Sequence, residues 1–358
     1  MNATTQKLHG VGQSIWLDNI TRRLLTSGTL ESYIRELSVT GLTSNPTIFE
    51  HAIKNGNDYD DAIRRILEED KFGAELFFEL ALEDLRQAAD LFRPVYDQTD
   101  GVDGWVSLEV SPLLARETAA TLDAAVALHK RAERPNLFIK IPGTSEGLPA
   151  IEEAIFRGVP VNVTLLFSAE QYLASAKAYL RGIERRIEAG LNPNVCSVAS
   201  LFVSRWDVAV AKKVPESLRN QLGIAIAKKA YALYRELLDS PLGQRIQNAG
   251  ARSQRLLFAS TGTKDPSASA LLYVQALALP STINTMPEAT LNALAAHPEF
   301  GAAEAENIDG IFTEFAGAGI DTDAVAAQLL EEGIASFAKS WNDLMECIAS
   351  KSEALRRQ

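Results

Sequence analysis

Asn136-Leu137-Phe138-Ile139-Lys140-Ile141-Pro142-Gly143-Thr144 is the stretch on which the reading of this chain turns. Leu137, Phe138, Ile139 and Ile141 form a short apolar run that Pro142-Gly143 ends, the pattern of a buried strand. A lysine inside such a run is costly, because its ammonium has to be desolvated. A lysine that sheds its proton in an apolar site is a nucleophile for carbonyl carbons. Lys140 is therefore a candidate Schiff-base lysine. The plain alternative is a buried stem whose head reaches water at the strand end. For this stretch alone the plain alternative is the commoner outcome, since lysine is seldom fully buried. The rest of the chain shifts that balance.

Working outward, eight short apolar runs are visible, at 15–18, 39–43, 106–110, 137–141, 161–165, 195–199, 256–259 and 281–285. Helix-period segments separate them. One opens after Ser111-Pro112 and carries Leu122 and Val126; another carries Ile226, Ala230, Leu233 and Leu237. Strands alternating with helices predict a parallel sheet. Eight such units predict an α/β fold of the (β/α)8 TIM barrel type, for which about 250 residues is typical. The 358 residues exceed that. The surplus falls in a long helical insertion at about 59–95 and in a C-terminal helix at about 321–350, where Val325, Leu329, Leu330, Ile334, Phe337, Trp341, Leu344 and Ile348 keep helical spacing. The charged tail at 351–358 is expected to fray. No linker composition is seen, so residues 1–358 read as one domain. A doubly wound sheet, the main alternative, needs a glycine-rich dinucleotide turn after an early strand, and none is visible.

Composition sets bounds. Hydrophobic residues make up 46% and charged residues 23%, an ordinary globular balance. The net charge of −11 argues against non-specific nucleic-acid binding, so an anionic substrate must meet local positive charge. Cys196 and Cys347 are far apart, which suggests a reducing compartment without a disulfide framework. The four histidines are scattered and no metal site is expected. The polar N-terminus has no signal-peptide pattern and no run reaches membrane-spanning length, so the expected address is the cytoplasm.

In a barrel of this kind, chemistry sits at the C-terminal ends of the strands. Asp18 ends the first run and Asn45 follows the second. Glu109 lies in the third, Lys140 in the fourth, Asn162 and Thr164 in the fifth. Ser200 and Arg205 follow the sixth, Ser260 and Lys264 follow the seventh, and Asn284 lies in the eighth. Strand side chains alternate faces, so Asn162 and Thr164 share a face opposite Val161 and Val163. Two polar groups on one face of a buried strand need partners, which a polar pocket around Lys140 would supply. Each residue also has a plain reading. Asp18 caps a helix, Asn45-Pro46 is a turn, Glu109 only pairs with Lys140, Thr164 is an ordinary strand residue, Arg205 and Lys264 are surface charges, and Trp16, Phe167 and Trp206 are packing.

The segments Trp16-Leu-Asp-Asn19, Gly41-Leu-Thr-Ser-Asn-Pro-Thr-Ile-Phe49, Val106-Ser-Leu-Glu-Val110, Phe138-Ile-Lys-Ile-Pro-Gly-Thr144, Val161-Asn-Val-Thr-Leu-Leu-Phe-Ser168 and Asn284-Thr-Met-Pro-Glu288, in this order, resemble those of the transaldolases over essentially the whole chain. Together with the Ala259-Ser-Thr-Gly-Thr-Lys-Asp265 segment, the length is similar to the longer bacterial and plant-like branch of that family. The resemblance implies transfer of a dihydroxyacetone unit between sugar phosphates in the non-oxidative pentose phosphate pathway, without metal or organic cofactor. Typically sedoheptulose 7-phosphate and glyceraldehyde 3-phosphate give erythrose 4-phosphate and fructose 6-phosphate. It implies that Lys140 forms the imine and that Asp18 takes the proton from the hydroxyl of the departing aldehyde. Glu109 and Thr164 would hold a proton-relaying water, and Asn45, Asn162 and Ser200 would contact substrate. A direct charge on the lysine would keep it protonated, so Glu109 is expected one water away from it. The family has two rim arginines. Arg205 matches the first; at the second, in the Ser260 region, this chain offers Lys264, a point charge without the guanidinium fork. Two alternatives stay open: a related lysine-dependent aldolase releasing free dihydroxyacetone, and an idle barrel kept for assembly. The last helix either covers the barrel mouth or makes a homodimer contact.

Overall fold

The computed structural model describes residues 2–297, 301 and 307–357. Eight strands appear in chain order: β1 Ser14–Asp18, β2 Val39–Thr43, β3 Val106–Glu109, β4 Leu137–Pro142, β5 Val161–Leu166, β6 Ser197–Phe202, β7 Arg255–Ala259 and β8 Ile283–Met286. All neighbours are parallel, in the order β2-β1-β8-β7-β6-β5-β4-β3. The two ends of that order meet. The Leu42 N–H donates to the Trp105 carbonyl at 2.9 Å and the Gly104 N–H to the Thr40 carbonyl at 2.8 Å. The result is a (β/α)8 TIM barrel. Gly41 permits the closure: a Cβ there would lie 2.6 Å from the Trp16 ring and 2.7 Å from the Trp105 carbonyl oxygen.

Alternation along the strands divides the buried side chains into two layers. Ile15, Leu17, Val106, Leu108, Ile139, Ile141, Val161 and Val163 belong to the core formed with the surrounding helices. Trp16, Trp105, Phe138, Val198, Leu257 and Ile283 form a second cluster inside the barrel. Burial of each large apolar side chain contributes roughly 1.5–3 kcal/mol. Because the period is two, Asp18, Glu109, Lys140, Asn162, Thr164 and Ser200 share the inward face with the second cluster, one step closer to the C-terminal ends.

Some boundaries differ from the sequence expectation. The sixth strand runs Ser197–Phe202 rather than over 195–199, so Ser200 lies inside it and does not follow it. Its start is delayed by a tight turn in which the Val195 N–H donates to the Pro193 carbonyl. The eighth begins at Ile283, because Ser281 has φ +62° and its N–H donates to the Gly12 carbonyl. The helical insertion consists of two helices, Asp60–Glu68 and Gly73–Gln98. The final helix runs Thr322–Arg356, started by Asp321, whose side chain accepts from the Asp323 and Ala324 N–H groups. Its tail does not fray through Arg356. Lys351 pairs with Asp60 at 2.8 Å and donates to the carbonyls of Ile53 and Gly56, and Leu355 is buried. Gly333 lets this helix lie close over β5 and the residue after it: a Cβ there would be 3.2 Å from Leu165 and 3.3 Å from the Phe167 ring. Among the described residues no helix is long and apolar enough to cross a membrane.

Candidate active site

A cavity of about 170 Å³ opens at the C-terminal ends of the strands. Asp18, Asn45, Lys140, Thr164, Ser200, Arg205, Ser260 and Lys264 all line it, and the C-terminal helix roofs it with Ser336, Phe337 and Ser340. The Thr47 hydroxyl donates to Ser340 Oγ at 2.8 Å, tying the roof to the segment after β2. The last helix thus covers the barrel mouth with part of its length, while Trp341, Leu344 and Ile348 pack into the main core, Trp341 against Phe77 of the insertion.

Strand register places the central pair. Glu109 on β3 is level with Lys140 on β4, which is level with Asn162 on β5. All three are buried. The Lys140 Nζ lies 3.3 Å from Glu109 Oε2 and donates to the Ser44 carbonyl at 3.0 Å. The expected one-water separation is therefore wrong: registered neighbours on one inward face bring the two charges into direct contact. The contact is an ion pair without the alignment of a hydrogen bond, since neither Glu109 oxygen has a hydrogen-bond partner within the protein, nor has Thr164 Oγ1. Burial pushes the Glu109 carboxyl above its ordinary range; Lys140 opposes this and Asp18 adds to it. A carboxylate held that way can accept the ammonium proton of its neighbour.

Asp18 sits across the cavity at the end of β1. The Thr43 hydroxyl donates to its Oδ1 at 2.7 Å and lies 2.7 Å from the Thr285 hydroxyl. Burial raises the Asp18 carboxyl, against the pull of Lys140, the Thr43 hydrogen bond and Lys264. Asn162 donates to Ser107 Oγ at 3.1 Å and accepts from Ser200 Oγ at 2.7 Å. Asn45 is both things at once: its Oδ1 caps the next helix through the Ile48 N–H at 3.1 Å, and its side chain lines the cavity. Asn284 does not belong here. It alternates with the inward Ile283 and Thr285, and its Oδ1 accepts from Thr261 Oγ1 at 2.7 Å behind the sheet. Thr43, Ser107 and Thr285 were missed by sequence reading, although strand parity could have found them: Ser107 is two residues from Glu109, and Thr285 two from Ile283.

The rim carries the positive charge. Arg205, the second residue of the helix Ser204–Val210, is half-buried, and its guanidinium lies 5.4 Å from the Phe202 ring centroid. Burial lowers its pKa. Neither Arg205 nor Lys264 makes an ion pair among the described residues. Ser260, at φ +56°, holds its hydroxyl 2.8 Å from Ser204. Below Lys140 lies an aromatic floor. The Trp105 and Phe138 rings stack at 4.0 Å, Trp16 is 6.3 Å from Phe138, and the Trp16 indole donates to Asp103 at 2.7 Å. Trp206 is packing, buried with its indole on the Phe167 carbonyl at 2.8 Å.

Comparison with known proteins adds to this geometry. A family model described as Transaldolase/Fructose-6-phosphate aldolase matches residues 15–348. The chain is 43% identical to the transaldolase of Thermobifida fusca, over 99% of this chain and 100% of that one. It is also 43% identical to the transaldolase of Saccharopolyspora erythraea, over 97% of each. Its identity to the transaldolase of Mycobacterium tuberculosis is 41%, over 96% of each.

Proposed function

The chain belongs to the transaldolase/fructose-6-phosphate aldolase family, and we propose that it moves a dihydroxyacetone unit from a ketose phosphate to an aldose phosphate through a Schiff base on Lys140. Transaldolase activity is what membership over residues 15–348, and relatives matched end to end, support. The observation that carries the residue assignment is Lys140, paired at 3.3 Å with the buried Glu109 and lining the same cavity as Asp18.

The chemistry follows from the pair. Lys140 passes its proton to Glu109, which burial has made more basic than usual. The free amine attacks the ketose C2 carbonyl, and the carbinolamine loses water to give the iminium. Glu109 and Thr164, whose side-chain oxygens accept no hydrogen bond from the protein, relay the protons of that dehydration and of the later hydrolysis. Asp18 takes the proton of the C4 hydroxyl. The C3–C4 bond then breaks, its electron pair moves into the iminium to form the enamine, and the aldose leaves. An incoming aldose is attacked by the enamine, and Asp18 returns the proton to the new hydroxyl. Asn45, Asn162 and Ser200 hold the hydroxyls of the three-carbon unit. The aromatic floor and the roof of Ser336, Phe337 and Ser340 keep bulk water from protonating the enamine, which favours transfer over release of free dihydroxyacetone. Arg205, Lys264 and Ser260 receive the phosphate. Sedoheptulose 7-phosphate with glyceraldehyde 3-phosphate, giving erythrose 4-phosphate and fructose 6-phosphate, is the substrate set we assign. We read the chain as one domain that works in the cytoplasm, where thiols such as Cys196 and Cys347 stay reduced.

Borohydride reduction in the presence of fructose 6-phosphate, followed by intact mass and peptide mapping, tests the assignment. A reduced three-carbon adduct on Lys140 is expected. A folded sample without adduct would overturn the imine mechanism, and an adduct on another lysine would break the site map.

A further inference from the structure

We propose that Phe337, on the C-terminal helix, is a positioning residue for Arg205 and thereby sets how strongly the site prefers a phosphorylated acceptor over the same aldose without phosphate. The inference rests on the reading of Arg205 as a phosphate contact. Arg205 is a half-buried cation with no carboxylate pair among the described residues, so what orients it is the Phe202 ring, 5.4 Å from its guanidinium carbon. An aromatic face attracts a guanidinium without neutralising it, whereas a paired carboxylate would compete with the incoming phosphate. The fork of arginine binds phosphate through two parallel hydrogen bonds only when its plane is fixed.

Phe202 is itself held from two sides. Phe167, fully buried, tilts against it at 5.4 Å, and Phe337 meets it edge-on at 6.4 Å and 70°. Phe337 lies one turn beyond Gly333, the residue whose missing side chain lets the helix settle on Leu165 and Phe167. The roof helix therefore grips the phosphate arginine through two rings, Phe337 on Phe202 and Phe202 on Arg205. The helix's own charge near Arg205, Glu332, is exposed and hydrogen-bonded to Gln328 at 2.7 Å. Leucine at position 337 would keep apolar bulk but remove the ring edge, freeing Phe202 to rotate and the guanidinium plane with it.

The acceptor half of the reaction isolates the effect. In a ping-pong reaction kcat/KM for the acceptor compares the enamine enzyme and free aldose with the transition state, so donor binding drops out. The constant would be measured with glyceraldehyde 3-phosphate and with D-glyceraldehyde for the parent, Arg205→Ala, Phe337→Leu and Phe337→Tyr, each checked for an intact melting transition. Arg205→Ala should cut the preference for the phosphorylated aldehyde more than tenfold, Phe337→Leu about fivefold, and Phe337→Tyr less than about twofold, in keeping with the size of aromatic and cation–aromatic contacts. An equal loss for both acceptors in Phe337→Leu, with Arg205→Ala still selective, would overturn the inference and leave the phosphate reading standing. So would a tyrosine variant as impaired as the leucine one. An unchanged preference in Arg205→Ala would remove the phosphate reading itself, and the inference with it.

Discussion

Replacing Lys140 by methionine, of similar length and no charge, should leave Glu109 as an unpaired buried carboxyl and make stability fall with pH. The sign follows from burial. Desolvation already raises Glu109, and Lys140 is the largest influence opposing the rise. Without the lysine the folded-state pKa climbs further above the unfolded value of about 4.3. Below about pH 4.3 both states are protonated and nothing is lost. Above it the unfolded chain releases the proton while the folded chain keeps it, so stability declines by about 1.36 kcal/mol per pH unit until the folded pKa is reached. Removing one partner of a buried pair costs roughly 3–5 kcal/mol. With an unfolding entropy of about 2.1 cal/mol/K per residue, a loss of that size amounts to a Tm change of about 4–7 °C for a chain of this length. Calorimetry of Lys140→Met and of Lys140→Met/Glu109→Gln at about pH 5 and about pH 7.5 is the assay. The single variant should lose those degrees relative to the double variant on going to the higher pH, and both should be inactive in transfer. Parallel Tm values in the two variants would refute the reasoning, because the buried carboxyl would then carry no linkage. Transfer activity surviving in Lys140→Met would refute the lysine mechanism outright.

Other outcomes follow from the same geometry. Asp18→Asn should lower kcat by about 100-fold or more with little change in KM, and should abolish the acid limb of the pH–rate profile; that limb sits above the ordinary aspartate range because burial raises Asp18, and an unchanged limb would assign the base elsewhere. Lys264→Ala should raise KM about tenfold for phosphorylated acceptors and much less for unphosphorylated ones, read by steady-state kinetics; equal effects would exclude a phosphate role. Asp207 accepts from the Leu222 and Gly223 N–H groups and the Tyr273 hydroxyl, and burial pushes its pKa to about 6. Folding therefore loses about 3 kcal/mol as pH rises from about 3.9 to about 6, and Asp207→Asn should flatten that part of a Tm-versus-pH curve.

Much of the barrel was legible because two physical signals are local. The eight runs stand out because a strand inside a (β/α)8 barrel is covered on both faces. Parity puts Asn162 and Thr164 on one face, and Glu109 and Lys140 stand out as charges inside apolar runs. Boundaries failed where backbone geometry, not side-chain pattern, decides: Ser281 in a left-handed turn, and the Pro193–Val195 turn before β6. The charged tail looked prone to fray because its anchors, Asp60 and the carbonyls of Ile53 and Gly56, lie nearly three hundred residues away in sequence.

Residue types and their order were enough to single out a buried lysine, the carboxylates of the first and third strands, and a pair of rim cations, since each is chemically costly where the pattern puts it. Distance was beyond that reading. Whether Glu109 touches Lys140 depends on the register between β3 and β4, a property of two strands together. That Asp18 accepts from Thr43, which in turn meets Thr285, depends on β2, β1 and β8 meeting side by side. That the last helix roofs the cavity, and reaches Arg205 through Phe337 and Phe202, depends on where a helix with one apolar face finds something to bury it against. Pattern along a chain reports which groups must leave water; only closure of the barrel decides which of them meet.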